Sequence, residues 1–398
     1  MHKSIALAAI IAAAALGIQA QAQTATSQDQ LVRLNQIQVI GTHNSYNRGF
    51  APSEAKWLQE KNPKAFQALD YAHGPLASQL DGGVRQMEID VAADPQGGRY
   101  SHPRITDLVR EAKLPADPNF DPTHEMDKPG LKVIHIVDLN ERSNCQLFVE
   151  CLKQVHTWSQ ANPQHVPIFL LIENKAGGVA TIPNGVMAPQ FTAADFDELD
   201  AEIRSVFSPS ELIVPDQVRG TYPTLEAAVL AGNWPTLEAS RGKVLFLMDQ
   251  KPSGPIYTAG HPSLKGRILF TNSSPGQPDA AFVEENEAPA DEINSLVKRG
   301  YIVRARADEN TIAARTNDTR RRDELLKSGA QFISTDYPAF ELSKWTGYSV
   351  ALPDGTIARC NPVNAPIGCR DQLLEAALRT NKWSRSPQHG RSSHRDSN

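Results

Sequence analysis

The sequence predicts an α/β fold, a (β/α)8 or TIM barrel with long loop insertions after strands 1 and 2. Three observations predict it. Apolar runs bounded by turn residues recur at about 36–42, 84–91, 131–138, 167–173, 243–249, 267–271, 300–306 and 331–335, which makes eight strands. Helix-like stretches lie between several of them, at about 145–160, 193–207, 225–231, 289–299 and 319–328. The polar residues able to do chemistry fall at the C-terminal ends of the runs, and a barrel gathers those ends onto one rim. A doubly wound sheet shares the alternation but spreads the strand ends along an edge.

The first run, Gln36-Ile-Gln-Val-Ile-Gly-Thr42, ends in His43, Asn44, Ser45 and Tyr46. In the second, the strand period of two puts Glu88 and Asp90 on one face between apolar Met87, Ile89 and Val91. Insertions at 48–80 and 92–128, rich in Pro, Asp and aromatic residues, are expected above the rim as lids or substrate walls. His102 lies in the second insertion. The third run carries His135 between Ile134 and Ile136, where a core histidine is the default, and ends at Asp138.

The fourth run, Ile168-Phe-Leu-Leu-Ile172, is continuously apolar, as a parallel strand covered on both faces must be. It leads into Glu173, Asn174 and Lys175. Arg304 and Arg306 share a face of the seventh run, and Asp336 follows the eighth. The last helix has Asn317-Asp318 as a cap, and its Arg320-Arg321-Arg322 run reads as a solvated face. No internal repeat is present, so one catalytic domain is expected over 23–378.

The chain has 398 residues and a net charge of −5, which suggests neither nucleic acid nor an anionic surface as a partner of the whole molecule. Residues 1–22 read as an export signal: Lys3, an apolar run from Ile5 to Leu16, and Ala20-Gln21-Ala22 as the cleavage site. That run is shorter than the roughly 20 residues that span a bilayer, and no later stretch is long enough. A periplasmic or secreted monomer without a transmembrane segment is expected. Residues 379–398, rich in Ser, Arg and His, read as a disordered tail.

Export permits disulfides. Cys145, Cys151, Cys360 and Cys369 allow three pairings, and local pairing of Cys145 with Cys151 and of Cys360 with Cys369 is expected because each closes a short loop. Zinc is disfavoured, since neither pair has CxxC spacing or a neighbouring His.

Two histidines, carboxylates and an amide oxygen at one rim suit phosphodiester cleavage. The substrate is anionic, so an attacking oxygen is repelled unless positive charge neutralises the phosphate and a base removes the proton. Asn44, Glu88, Asp90 and Glu173 are hard oxygen donors of the kind Ca2+ takes. Lys175, Arg304, Arg306 and Asp336 are expected to face the phosphate or a sugar hydroxyl.

Gly41-Thr-His-Asn-Ser-Tyr46, Gly82-Gly-Val-Arg-Gln-Met-Glu-Ile-Asp90, Arg99-Tyr-Ser-His102, Pro167-Ile-Phe-Leu-Leu-Ile-Glu-Asn-Lys175, Val303-Arg-Ala-Arg-Ala-Asp308 and Ile333-Ser-Thr-Asp-Tyr-Pro338 together resemble the bacterial calcium-dependent phosphoinositide phospholipase C family. The resemblance spans most of the chain. It implies a phosphoric diester hydrolase acting on phosphatidylinositol-type phospholipid at a membrane surface, with Ca2+ held by Asn44, Glu88, Asp90 and Glu173. It further implies that His43 and His102 are catalytic, that the inositol 2-hydroxyl attacks phosphorus, and that a cyclic inositol phosphate forms first. A glycerophosphodiester phosphodiesterase shares the His, Glu-x-Asp and His pattern but usually has Arg after its first His, where this chain has Asn44. The calcium-independent bacterial enzymes replace the metal with an arginine. A secreted barrel that binds calcium or lipid without turnover is the reading from a different class.

Overall fold

The computed structural model describes residues 27–375; the expected leader at 1–22 and tail at 379–398 lie outside the described residues. Ten strands are assigned among the described residues: β1 Ile37–Thr42, β2 Gln86–Ala92, β3 Lys132–Val133, β4 Ile168–Asn174, β5 Leu212–Ile213, β6 Val244–Met248, β7 Phe282–Glu284, β8 Ile302–Arg306, β9 Phe332–Thr335 and β10 Ala358–Cys360. Parallel ladders join β6 to β4, β4 to β2, β2 to β1, β1 to β9, β9 to β8 and β8 to β7.

The circuit closes between β6 and β7. There Phe270 bridges Leu247 and Asn272 bridges Phe282, both parallel. Met248 N donates to Phe270 O at 2.8 Å and Ser273 N to Phe282 O at 3.1 Å. With this closing segment the barrel has its eight parallel staves, in chain order around the ring.

The burial pattern explains the closure. Every residue of β1, β2 and β6 is buried, so each strand is covered by packed side chains inside and helices outside. Phe169 and Phe332 meet across the interior with ring centroids 4.4 Å apart. Outside, the helix Phe148–Ala161 buries Phe148, Cys151, Leu152, Val155 and Trp158, the spacing of one helical face. Each such large apolar side chain contributes roughly 1.5–3 kcal/mol when fully buried. The helices expected at 193–207, 225–231, 289–299 and 319–328 are present as Ala193–Val206, Leu225–Leu230, Ala290–Lys298 and Arg320–Ser328.

One expected strand is wrong and one was missed. The run at 131–138 is strand only at Lys132–Val133, antiparallel to the end of β2, and then folds back through a turn where Asp138 has φ 67°. The sixth barrel stave is Phe282–Glu284, three residues long and flanked by acidic and loop residues. Apolarity marked the first because β3 and its turn are buried beside the barrel mouth, not because they belong to the barrel.

Both insertions carry helices, Pro52–Lys61, Pro63–Leu69 and Leu76–Asp81 in the first and Arg104–Glu111 in the second. Leu58, Ile105, Val109, Leu139 and Ile182 form a small separate apolar core among these loops. At the opposite end β10 pairs antiparallel with the start of β1. Both disulfides have the expected local pairing, Cys145–Cys151 and Cys360–Cys369, with Cα separations of 5.2 and 6.0 Å. Among the described residues no helix is long and apolar enough to cross a membrane.

Candidate active site

The turn after β1 is fixed from several sides. His43 N donates to Thr335 O at 3.1 Å and Ser45 N to Glu88 O at 2.9 Å, while Glu88 N donates back to Ser45 Oγ at 2.9 Å. Gln79, from the first insertion, accepts from Thr42 Oγ1 and donates to Ser45 O. Asn44 has φ 46°, a left-handed conformation that Asn tolerates better than bulkier residues. These contacts hold Thr42, His43, Asn44 and Ser45 in one shape.

His43 lies between two acids. Its Nδ1 is 2.8 Å from Asp336 Oδ1 and its Nε2 is 3.6 Å from Glu88 Oε1. Arg306 donates to the other oxygen of Asp336 at 3.2 Å. Burial lowers the His43 pKa well below its ordinary 6.5, and the nearby Arg306, Arg304, His73 and Lys175 charges lower it further. The ring is therefore neutral at neutral pH. Asp336 holds the proton on Nδ1 and leaves the Nε2 lone pair facing the mouth.

Asp90 and Glu173 sit opposite each other in the β2–β4 register. With Glu88 they place carboxylate oxygens within 4.8 Å of one another. Burial raises the Glu88 pKa to about 7, with Arg304 opposing and Glu284 and Glu173 adding to the rise. Lys175 Nζ reaches Asp90 at 3.1 Å and Glu173 at 2.8 Å. Burial works against its charge, but these two carboxylates outweigh it and raise its pKa.

One end of the Asn44 amide lies 3.0 and 3.3 Å from the Asp90 oxygens, and its other end meets Tyr71 Oη at 2.7 Å and the Nε2 atoms of His43 and His135 at 3.2 and 3.1 Å. With its oxygen toward Asp90, Asn44 completes a four-oxygen set that fits Ca2+. Such crowding of oxygens is costly without a cation between them.

His102 does not join this cluster. It is exposed, its side chain has no hydrogen bond or ion pair among the described residues, and it lines a different cavity of about 600 Å3 beside Leu114, Phe120 and Arg142. The second insertion turns away before reaching the mouth. His135 comes in its place: β3 continues over the end of β2, and the His135 ring centroid is 6.5 Å from that of His43. Its Nδ1 is buried without a partner, and burial followed by the Lys175, His43 and Arg306 charges lowers its pKa well below 6.5. The satisfied core histidine His165 also has a pKa lowered by burial, but both of its ring nitrogens have partners, at Ser159 and Val166.

Arg304 donates to Glu88, Glu284, Ser334 Oγ at 3.2 Å and Asn286 Oδ1 at 2.8 Å. Arg306 pairs with Asp336 and lies 3.9 Å from Asp308. Both arginines thus face the mouth, as their spacing predicts, but each is held by acids there. Sequence reasoning missed Tyr71 and His73. His73 is buried and donates from Nδ1 to Glu341 Oε2 at 2.6 Å and from Nε2 to the His43 carbonyl at 3.0 Å. Both stand in an insertion without periodic signal. Asp249 was within reach, since it ends the expected strand at 243–249, and Glu284 was hidden with its unrecognised strand.

A cavity of about 300 Å3 opens beside Asp336 and Tyr71 and is walled by Phe50, Phe66, Leu69, Leu342 and Trp345.

Residues 32–362 match the sequence model of a family described as Ca2+-dependent phosphoinositide phospholipase C. No curated protein matches the chain. Among solved structures, a Ca2+-dependent phosphatidylinositol-specific phospholipase C from Streptomyces antibioticus is 19% identical, covers 77% of this chain and 95% of its own, and has a TM-score of 0.49. A calcium-dependent phosphoinositol-specific phospholipase C from a Gram-negative Pseudomonas species is 16% identical over 84% of this chain and 96% of its own, with a TM-score of 0.48. The phosphatidylinositol-specific phospholipase C of Listeria monocytogenes is 12% identical over 77% and 89%, with a TM-score of 0.42.

Proposed function

The chain belongs to the Ca2+-dependent phosphoinositide phospholipase C family, and from that premise we propose that it cleaves phosphatidylinositol-type phospholipid to diacylglycerol and a cyclic inositol phosphate. The observation that carries the reading is the meeting, at one barrel mouth, of a His43–Asp336 pair with the Glu88, Asp90 and Glu173 carboxylates.

Asn44, Glu88, Asp90 and Glu173 would hold the Ca2+. When bound, the ion supplies positive charge against the phosphate and acidifies the attacking hydroxyl. His43 Nε2, kept free of its proton by burial and by the Nδ1 bond to Asp336, takes the proton of the ring hydroxyl next to the phosphodiester. That oxygen forms its bond to phosphorus as the bond to the glycerol oxygen breaks. His135, whose Nε2 meets the same end of the Asn44 amide as His43 Nε2, gives a proton to the departing glycerol oxygen from its protonated form, which burial makes the minor one at neutral pH. Arg306 positions Asp336, and Lys175 offsets the charge of Asp90 and Glu173.

The cavity beside Asp336 has a mixed lining, in which Arg48, Asp70, Glu341 and Lys344 stand beside Phe50, Phe66, Leu69, Leu342 and Trp345; its apolar part supports a leaving group that carries hydrocarbon. A lipid substrate implies action at a membrane surface, and the two disulfides agree with a periplasmic or secreted location.

Phosphorus NMR of products from phosphatidylinositol and from glycerophosphoinositol, each with Ca2+ and with chelator, tests the reading. A Ca2+-dependent cyclic phosphate signal from the lipid is expected. Release of glycerol 3-phosphate from the soluble diester, with the lipid untouched, would move the chain to glycerophosphodiester chemistry.

A further inference from the structure

The first insertion brings to the mouth a histidine that the reaction above does not use. His73 is buried, and each of its ring nitrogens meets an acceptor: Nδ1 lies 2.6 Å from Glu341 Oε2, and Nε2 lies 3.0 Å from the His43 carbonyl. Glu341 Oε1 accepts from Gly74 N at 2.8 Å, so both oxygens of that carboxylate act as acceptors. A neutral imidazole has one N–H and could serve only one of the two contacts. Together they require the doubly protonated ring.

The charges around the ring agree. Burial works against its charge, but the bond to Glu341 and the charge of Glu341, followed by Asp336 and the His43 carbonyl, outweigh it and raise the pKa above 6.5. Arg306 and His43 both bond to Asp336, and Tyr71, on the same insertion, stands with its ring centroid 6.0 Å from that of His73.

The ring is not needed to shape its own segment. His73 N donates to Asn47 O at 2.8 Å, Asn144 Nδ2 donates to His73 O and Gly74 O at 3.0 and 2.9 Å, and Gln79 Nε2 donates to Gly74 O at 2.7 Å. The imidazole instead joins two other segments, the loop after β9 that carries Glu341 and the turn after β1 that carries His43. In that turn Thr335 O holds His43 N, Asp336 holds the ring, and His73 holds the carbonyl.

We propose that His73 is a positioning residue for the His43 base: its doubly protonated ring, locked by Glu341, grips the His43 carbonyl and sets a positive charge beside the His43–Asp336 pair. The inference rests on the phospholipase C reading, which supplies the reaction that His73 serves. When the ring loses a proton, the carboxylate, as the stronger acceptor, keeps the remaining N–H, and the His43 carbonyl loses its donor. kcat should therefore fall along an alkaline limb whose midpoint is that of His73.

The test measures kcat against pH on phosphatidylinositol in saturating Ca2+, and the nitrogen-15 titration of His73 without substrate, in wild type, His73→Gln, His73→Asn and Glu341→Gln. The Gln amide nitrogen reaches the place of Nε2 and the Asn amide nitrogen that of Nδ1. His73→Gln keeps a donor for His43 at every pH, so kcat should stay within about 10-fold of wild type while the alkaline limb disappears. His73→Asn keeps only the Glu341 bond and should lower kcat by about 10- to 100-fold with KM within about 3-fold. Glu341→Gln removes the facing charge and should move the limb and the nitrogen-15 midpoint down by about one pH unit or more. Calorimetric Ca2+ binding shows that the mouth of each variant is folded, and should His73→Asn fail there, the other two variants still decide.

A wild-type nitrogen-15 midpoint at or below 6.5 overturns the proposal. So does an alkaline limb that stays in place in both His73→Gln and Glu341→Gln, or a His73→Asn enzyme with the kcat of wild type. If wild type binds Ca2+ but cleaves no phosphatidylinositol, the phospholipase C reading itself fails, and the part of His73 in the reaction with it.

Discussion

Two influences acting together would suit His43 to the part of a base: burial and neighbouring cations keep its ring neutral, and Asp336 fixes which nitrogen carries the proton. The sign of the pH effect follows. A pKa lowered below 6.5 keeps the base form present to lower pH, so the acid limb of kcat/KM lies below pH 6.5. A limb at or above that value would mean that Asp336 outweighs burial. Asp336→Asn is expected to lower kcat by about 10²- to 10⁴-fold with little change in KM, through loss of the tautomer that leaves Nε2 free. His135→Ala should cost a similar factor and His102→Ala less than about 3-fold, measured as release of inositol phosphate. An equal loss from His102→Ala would restore the residue expected from sequence.

The ion site carries its own pH signature. Glu88, raised to about 7, must lose a proton before it can bind a cation. Ca2+ affinity should tighten as pH rises, by up to about 10-fold between pH 6 and 7. Calorimetry in buffers of different ionisation enthalpy would detect the released proton, and an affinity flat across that range would count against Glu88 as a ligand. Glu88, Asp90 and Glu173 were legible in sequence because a strand period of two and a strand end fix them with no knowledge of loops. His135 was not, because its position depends on how β3 folds over β2, and nothing local encodes that.

At the scale of the element, the same distinction decides which strands could be read. β1, β2, β4 and β6 are long, apolar runs, and sequence placed all four within a few residues. β7 is three residues long, and its place in the ring is set by the closing segment and β8 rather than by its own pattern. β1 also contains a close approach that sequence alone cannot show. A Cβ on Gly41 would lie 1.9 Å from Gln86 Oε1, and Gln86 is fully buried. Gly41→Ala is therefore expected to cost about 1–3 kcal/mol in urea unfolding and to disturb His43 two residues on. Gln86→Ala in the same chain should recover much of that loss. Independent, additive effects of the two substitutions would show that the contact does not govern the strand.

For the molecule as a whole, the ring depends on ties between strand ends that are distant in sequence. Asn44 comes from the turn after β1, Glu88 and Asp90 from β2, and Glu173 from β4, so a cation held by all four joins three adjacent staves at the mouth. Lys175 makes part of that tie through Asp90 and Glu173, but it reaches neither Asn44 nor Glu88. Ca2+ should therefore stabilise the barrel as well as activate it. At an ion concentration about 100 times Kd, a ligand that binds only the folded state adds about 2.7 kcal/mol. That should appear as a Tm rise of several degrees over the chelated protein. Glu173→Gln should shrink the rise by weakening the site, whereas His102→Ala should leave it unchanged, because His102 is exposed and lines a separate cavity. A Tm indifferent to Ca2+, in an enzyme whose turnover still requires it, would mean that the ion arrives with the substrate and that the staves are held at the mouth by protein contacts alone.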